Sequence, residues 1–335
     1  MVSLAPLLSL PCLEDDLARV EKALLANVRT GDPFLAEVAS HLITAGGKRL
    51  RPALAVAVGE LGGGPADDDV ILGAVAVELV HLGSLYHDDV MDEARTRRNV
   101  ESVNARWGNL VAILAGDFLL ARASEIAAGL GTEVAGLLAT TIGKLCEGQV
   151  RELAQTFDVT RSEESYLTSI NGKTAALMAT ACRIGAITAG INRAGVEALT
   201  SYGDRVGMVF QIVDDILDVV ATDEELGKPA GNDLVEGVYT LPVIRALATA
   251  ESSEALRTLL GSPLEPREVD EVRTIIRSNG AVDAAVDVAR RFAGESAHAL
   301  EGVQVGGEGG VGVLTALASL GDHLIENIPR HSVGR

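Results

Sequence analysis

The sequence predicts an all-α fold, read as a single large helical domain over residues 1–335. Three observations point there. Hydrophobic residues make up 47% of the chain but aromatics only 3%, so the core is built from Ala, Leu, Val and Ile, which suits close-packed helices better than strand sandwiches. Apolar residues recur with helical period from end to end, and no stretch alternates convincingly as a strand. Two carboxylate patterns, Asp88-Asp89-Val90-Met91-Asp92 and Asp214-Asp215-Ile216-Leu217-Asp218, lie inside such stretches.

Taken in order, amphipathic helices are expected over Asp15–Val28 and Phe34–Ile43. Arg51–Leu61 and Val70–Glu93 follow, parted by the Gly62-Gly63-Gly64-Pro65 turn. The pattern continues through Leu110–Leu130, Thr132–Gln155, Ser162–Gly190, Val196–Val220, Leu241–Ala250, Pro266–Asn279 and Val282–Leu300. The breaks between them carry Gly, Pro or Asp, as helix stops do. Val305–Gly312 is glycine-rich and reads as a loop.

The bulk numbers exclude several functions. A net charge of -19 argues against nucleic acid and against docking on an anionic membrane. Charges such as Asp117 and Arg183 interrupt the best apolar runs, so no membrane span is expected. Met1–Leu13 is apolar but lacks a positive leader, against a signal peptide. The three cysteines, Cys12, Cys146 and Cys182, have no metal-ligand spacing and are expected as buried, reduced thiols in a cytoplasmic protein.

The chemistry concentrates at the aspartates. Residues four apart share a helix face, so Asp88 lies with Asp92, and Asp214 with Asp218. Three carboxylates with few cations among them are costly unless a positive group sits between them. Magnesium binds through one or two carboxylates plus substrate phosphates, so two such faces across a cleft would cage a diphosphate.

Other features are open to two readings each. Gly46-Gly47-Lys48-Arg49-Leu50-Arg51-Pro52 is either an anion site at a helix start or a solvated basic turn. His81, two turns before Asp88, suits a satisfied core histidine as well as a ligand contact. The cations of Arg95-Thr96-Arg97-Arg98-Asn99 either balance the aspartates or grip phosphate. Gly83 and Ser84, about one turn before Asp88, allow either the close passage of a ligand or close helix packing.

Together Gly46–Pro52, Leu79–Asn99, Gly116-Asp117-Phe118-Leu119, Gly148-Gln149, Lys173-Thr174, Gly207–Asp218 and Gly227–Pro242 resemble the all-trans polyprenyl diphosphate synthases (isoprenyl diphosphate synthases) of long-chain type. The resemblance runs roughly from Leu17 to Arg330. It implies the isoprenoid synthase fold, a helical bundle around a central cavity, working as a homodimer. It implies condensation of isopentenyl diphosphate with an allylic diphosphate, with about three magnesium ions. Asp88, Asp89, Asp92, Asp214, Asp215 and Asp218 would hold the metals. Arg97, Lys173 and Lys228 would hold the allylic diphosphate; Lys48, Arg51, His81 and Arg98 would hold isopentenyl diphosphate. Thr174 and Gln211 would lie near the carbocation. Gly83 and Ser84, small where short-chain relatives carry a bulky aromatic, would leave room for a tail of about six to ten isoprene units.

The chain departs from the family at Gln149, where many relatives have Glu, and at Val238, where many have Lys. Alternatives within enzymes are a geranylgeranyl diphosphate synthase and a terpene cyclase, although a cyclase's second motif is normally not another DDxxD. Outside them stands a non-catalytic subunit of a two-part synthase, against which the retained aspartates and cations speak. A ferritin-like bundle would need Glu-x-x-His pairs, and Glu78–His81 alone is too few.

Overall fold

The computed structural model describes residues 5–226 and 229–329. The chain runs through α1 (Ala5–Leu8), α2 (Leu13–Asn27), α3 (Pro33–Thr44), α4 (Leu50–Gly59), a 3₁₀ turn (Glu60–Gly62) and α5 (Asp68–Met91). After strands β1 (Thr96–Arg97) and β2 (Val100–Glu101) come α6 (Val103–Trp107), α7 (Asn109–Gly129) and α8 (Thr132–Leu153). Then follow α9 (Glu163–Ile170), a π turn (Asn171–Ala175), α10 (Ala176–Thr188) and α11 (Arg193–Val220). The remainder is α12 (Asp223–Leu226), α13 (Asn232–Val235), α14 (Leu241–Ala248), α15 (Ala250–Leu259), α16 (Pro266–Ser278), α17 (Ala281–Ala299) and α18 (Gly307–Glu326).

The two aspartate-bearing helices are the spine. Helix α5 packs on α2, α4, α7 and α10, and α11 packs on α10, α14, α17 and α18. A helix surrounded on most sides is apolar nearly all round. This explains why α5 alone among the described helices is long and apolar enough to cross a membrane, with 72% of that stretch buried inside the protein. One contiguous core runs from Leu7 to Ile328 and is made mostly of Ala, Val, Leu and Ile. All four tyrosines of the chain, Tyr86, Tyr166, Tyr202 and Tyr239, are fully buried, and each hydroxyl has a partner, as buried polar tips require. Tyr86 donates to Val38 O (2.7 Å), Tyr202 to Leu317 O (2.8 Å) and Tyr166 to Asp215 (2.5 Å), while Tyr239 accepts from Gly261 N (2.6 Å).

Three expectations are corrected. The glycine-rich stretch is no loop beyond Gly306, because α18 begins at Gly307. Its glycines let the helix press on the 3₁₀ turn: Gly306 N donates to Leu61 O at 2.7 Å, and a Cβ at Gly310 would stand 2.3 Å from that oxygen. Tertiary packing thus overrides the poor helix propensity of glycine. The cation run after the first aspartates folds into an antiparallel hairpin, Thr96 facing Glu101 and Arg97 facing Val100. Its tip residues Arg98 and Asn99 both have positive φ, 53° and 62°, as the tightest hairpin turn requires. Finally, of the three thiols only Cys182 is buried; Cys12 is half-buried and Cys146 exposed.

Candidate active site

Helix α5 carries His81, Gly83, Ser84, Asp88 and Asp89, and Asp92 caps its C-terminus. The two small residues face different ways. A Cβ on buried Gly83 would stand 3.0 Å from Gly116 O and 3.2 Å from Leu120 Cγ. A Cβ on Gly116 would meet His87 at 2.4 Å and Gly83 O at 3.1 Å. Gly83 therefore packs closely against Gly116 and Leu120 of α7. Ser84 instead lines a cavity of about 290 Å³ with His87, Asp88, Met91, Cys146 and Lys173. A larger, open groove between α9, α11 and α17 (about 520 Å³) contains none of the aspartates.

Across the cavity the helix path is interrupted. The segment Ser162–Gly190, expected as one helix, is broken by the π turn, which holds Lys173 and Thr174. Such bulges cluster at functional sites. Here the partner helix comes very close: a Cβ at Gly148 would stand 2.5 Å from Lys173 N. Lys173 Nζ donates to Glu152 of α8 at 2.5 Å. Thr174 donates to Gln211 Oε1, and Gln211 Nε2 to Asp215 Oδ1, both at 2.7 Å. Tyr166 completes this chain at Asp215 Oδ2.

The pair Lys173–Glu152 joins the two aspartate patterns. The charge on Lys173 acts on both Asp88 and Asp92. Glu152 acts on Asp92 from one side and on Asp215 from the other. The two acidic helices thus share the Lys173–Glu152 pair as a charged neighbour.

The six aspartates do not play equal parts. Asp88 and Asp214 are half-exposed and Asp92 is exposed, whereas Asp89, Asp215 and Asp218 are buried. Asp89 Oδ1 accepts from Arg97 Nε at 2.7 Å and Nη2 at 2.6 Å. Its Oδ2 is buried without a partner. Asp215 is held by Tyr166 and Gln211. Asp218 accepts from the backbone N–H groups of Asn232 (3.3 Å) and Asp233 (3.2 Å). The six expected metal ligands therefore stand in unlike surroundings: the buried carboxylates take protein donors that offset their desolvation. Arg97 is likewise partly committed to Asp89, although a guanidinium retains further N–H groups.

Burial also sets the acidities. It pushes Asp88 up to about 6, Lys173 opposing and Asp92 adding. Asp89 and Asp92 are raised for the same reason. Asp215 rises to about 7 by burial, although Tyr166 and Gln211 pull the other way. Burial works against the charge on Lys173, but Glu152, Asp88 and Asp92 outweigh it and its pKa is raised.

A second, cationic cluster lies two turns down α5. Arg49 is buried and turned inward. It pairs with Glu21, donates to Glu78 Oε1 at 2.7 Å and to Ile43 O at 3.0 Å. Arg98 donates to Leu42 O (2.9 Å) and to Gly46 O, fixing the glycine loop before the exposed Lys48. Arg51 is different: burial lowers its pKa to about 10, and its Nε is buried without a partner. His81 is held neutral, first by burial and then by Arg51, Arg98, Arg49 and Arg97. A guanidinium with an orphaned N–H beside a neutral imidazole suits an anion. Lys228 lies outside the described residues.

Comparison with known proteins decides what this constellation is. The family model described as "Polyprenyl synthetase" matches residues 32–278. The chain belongs to the polyprenyl synthetase family. It is 41% identical over 286 residues to the nonaprenyl diphosphate synthase of Mycobacterium tuberculosis, covering 85% of each chain. It is 39% identical to the heptaprenyl diphosphate synthase component 2 of Geobacillus stearothermophilus, over 87% of this chain and 91% of the relative. The polyprenyl synthase of Caulobacter crescentus CB15, solved with calcium and isoprenyl diphosphate, superposes with a TM-score of 0.87 at 34% identity over 98% of both chains. The chain is accordingly a prenyltransferase with the isoprenoid synthase fold.

Residues unremarked in the sequence complete the site. Glu152 and Tyr166 hold Lys173 and Asp215, and Asn104 Nδ2 donates to Asp89 O at 2.9 Å. Only Glu152 left a trace in the sequence, one turn after Gln149 on the same face.

Proposed function

We propose that this polyprenyl synthetase condenses isopentenyl diphosphate with an allylic diphosphate and repeats the step to build a long all-trans tail of about six to ten isoprene units. The Lys173–Glu152 pair, whose charges act on both aspartate patterns, carries this reading. Asp88, Asp92 and Asp214 present the hard oxygen donors that suit magnesium. The Oδ2 of Asp89, buried without a partner, and the Asp88 carboxylate, raised by burial despite Lys173, leave acceptor capacity that a cation would use. About three ions shared with substrate oxygens would complete the site. When bound, the metals would offset negative charge on the departing diphosphate.

The chain's own residues do the rest. Lys173, Arg97 and Lys228 hold the allylic diphosphate. Arg51, Lys48, Arg98 and the neutral His81 hold the second diphosphate so that its double bond faces the reacting carbon. Thr174 and Gln211, fixed through Asp215 and Tyr166, turn oxygen atoms toward the carbocation. The Ser84 cavity takes the tail and keeps water from it.

We further propose a cytoplasmic homodimer acting as one domain. The single core supports the last point. Leu110 (79% exposed) and Leu114 (66%) on α7, with Val150 (65%) on α8, form the apolar face a two-fold partner would cover. Incubation with farnesyl diphosphate, labelled isopentenyl diphosphate and magnesium tests the reading. Products of about six to ten units are expected. A dominant geranylgeranyl product would select the short-chain alternative, and no product without an added unlike subunit would select the two-part synthase.

The metal reading also predicts a pH dependence. The pKa of Asp88 is about 6, above its ordinary 3.8, so the folded, metal-free protein holds that proton more tightly than the unfolded chain. Its contribution to stability is full below the ordinary value and is lost as pH rises through about 6. Metal must displace the proton, so affinity should fall up to about tenfold per pH unit below about pH 6. The rise in Tm with magnesium and inorganic pyrophosphate should therefore be larger near pH 8 than near pH 5. An equal rise at both would contradict metal binding at Asp88.

A further inference from the structure

Two arginines of α16 grip the end of the helix that carries the second aspartate pattern. Arg273 Nε donates to Val219 O at 3.0 Å and its Nη2 to Ala221 O at 2.5 Å. Arg277 donates to the same Val219 oxygen from Nε (3.0 Å) and Nη2 (2.8 Å). Val219 directly follows Asp218. Cations at a helix C-terminus satisfy its last carbonyls and oppose its dipole. Two guanidiniums on one carbonyl exceed what capping alone needs, and Arg273 is drawn into the interior, being only 9% exposed, while Arg277 reaches the same oxygen from the surface.

The same arginine touches the returning loop. Gly231 N donates to Asp218 O at 2.9 Å. A Cβ at Gly231, whose φ is 79°, would stand 3.0 Å from Arg273 Cδ and 2.6 Å from Val269 Cγ1. Asp218 then binds the next two backbone N–H groups through its carboxylate. Arg273 thus braces both the last turn of α11 and the loop that follows Lys228.

We infer that Arg273, assisted by Arg277, is a positioning residue for the metal–diphosphate site: it holds the C-terminal turn of α11 and the loop at Gly231 in the register that site requires. It touches neither substrate nor metal, and it acts through Asp218 and the 229–233 backbone. The inference rests on the site reading above.

The test uses the full-length protein, magnesium and inorganic pyrophosphate. Calorimetry should find pyrophosphate binding about tenfold weaker in Arg273→Gln, with a smaller loss in Arg273→Lys, which keeps the charge. The magnesium concentration for half-maximal activity should rise by a similar factor, while KM for isopentenyl diphosphate changes less than about twofold. Amide exchange across 229–235 should quicken. Should Arg273→Gln not fold, Arg277→Gln, at a less buried position, reads the same quantities. Unchanged pyrophosphate affinity, or activity lost only in proportion to the unfolded fraction, overturns the inference. Asp88→Asn is the control: if it leaves pyrophosphate binding intact, the site reading itself fails; if it abolishes binding while the arginine variants match wild type, only the inference fails.

Discussion

Asp88→Asn is expected to lower kcat by about 10³-fold while raising the Tm of the metal-free protein. The two effects share one cause. The carboxylate is held in a partly desolvated place beside Asp89 and Asp92, and burial outweighs the opposing charge of Lys173, so its ionised form is costly. An amide keeps the shape and removes the charge, so the empty fold gains stability. A metal's stabilisation of a departing oxyanion is worth several kcal/mol, and about 4 kcal/mol corresponds to about 10³ in rate. Scanning calorimetry and steady-state kinetics on the same preparation check both halves. Near-wild-type kcat, or a lower Tm matching the lost activity, would show that Asp88 is a structural carboxylate.

The second large effect is on product size. Ser84→Phe is expected to shorten the tail by several isoprene units with the initial condensation rate nearly kept. Ser84 lies about one turn from Asp88 and lines the cavity together with Leu145 and Cys146. A phenyl ring there occupies the path of the tail, and each methylene denied burial forfeits about 0.8 kcal/mol. Gly83→Phe should behave otherwise. It drives a ring into the α5–α7 contact, where a Cβ already stands at 3.0 Å from Gly116 O. Overpacking of that kind costs about 1–3 kcal/mol or more, so reduced folded yield is expected rather than a shorter product. Chromatography of the extended products separates the cases, and an unchanged distribution from Ser84→Phe would place the tail elsewhere.

How much of this was legible beforehand follows from the kind of signal each feature leaves. The long helices were readable because burial imposes a period on many residues at once, and their limits fall within a few residues of those expected. Helix α18 was missed because its glycines serve packing against the Glu60–Gly62 turn, a contact with no local trace. The Arg97–Arg98 hairpin was missed because two-residue strands carry too little alternation to detect. At the site, residue types and spacing marked the aspartates, Lys173, Thr174 and Gln211. They could not tell which aspartates are buried, since Asp89, Asp215 and Asp218 are distinguished by partners such as Arg97, Tyr166 and the Asn232–Asp233 backbone that only the fold brings to them. Gly83 and Ser84 are neighbours with different surroundings, one against α7 and the other at the cavity, and only the position of α7 distinguishes them.

The π turn at Asn171–Ala175 has one more consequence. In a regular helix each residue rotates the next by about 100°. The turn inserts roughly one extra residue, so the side chains before and after it answer to different phase origins. The Ala176–Thr188 segment can therefore present its greasy stripe to the interior while Lys173 and Thr174 project from the same rod in another direction. Removing a single residue there would force a choice between the two alignments. A lineage of such proteins could hardly shed that residue in small steps, because every intermediate would lose either its packing or its chemistry.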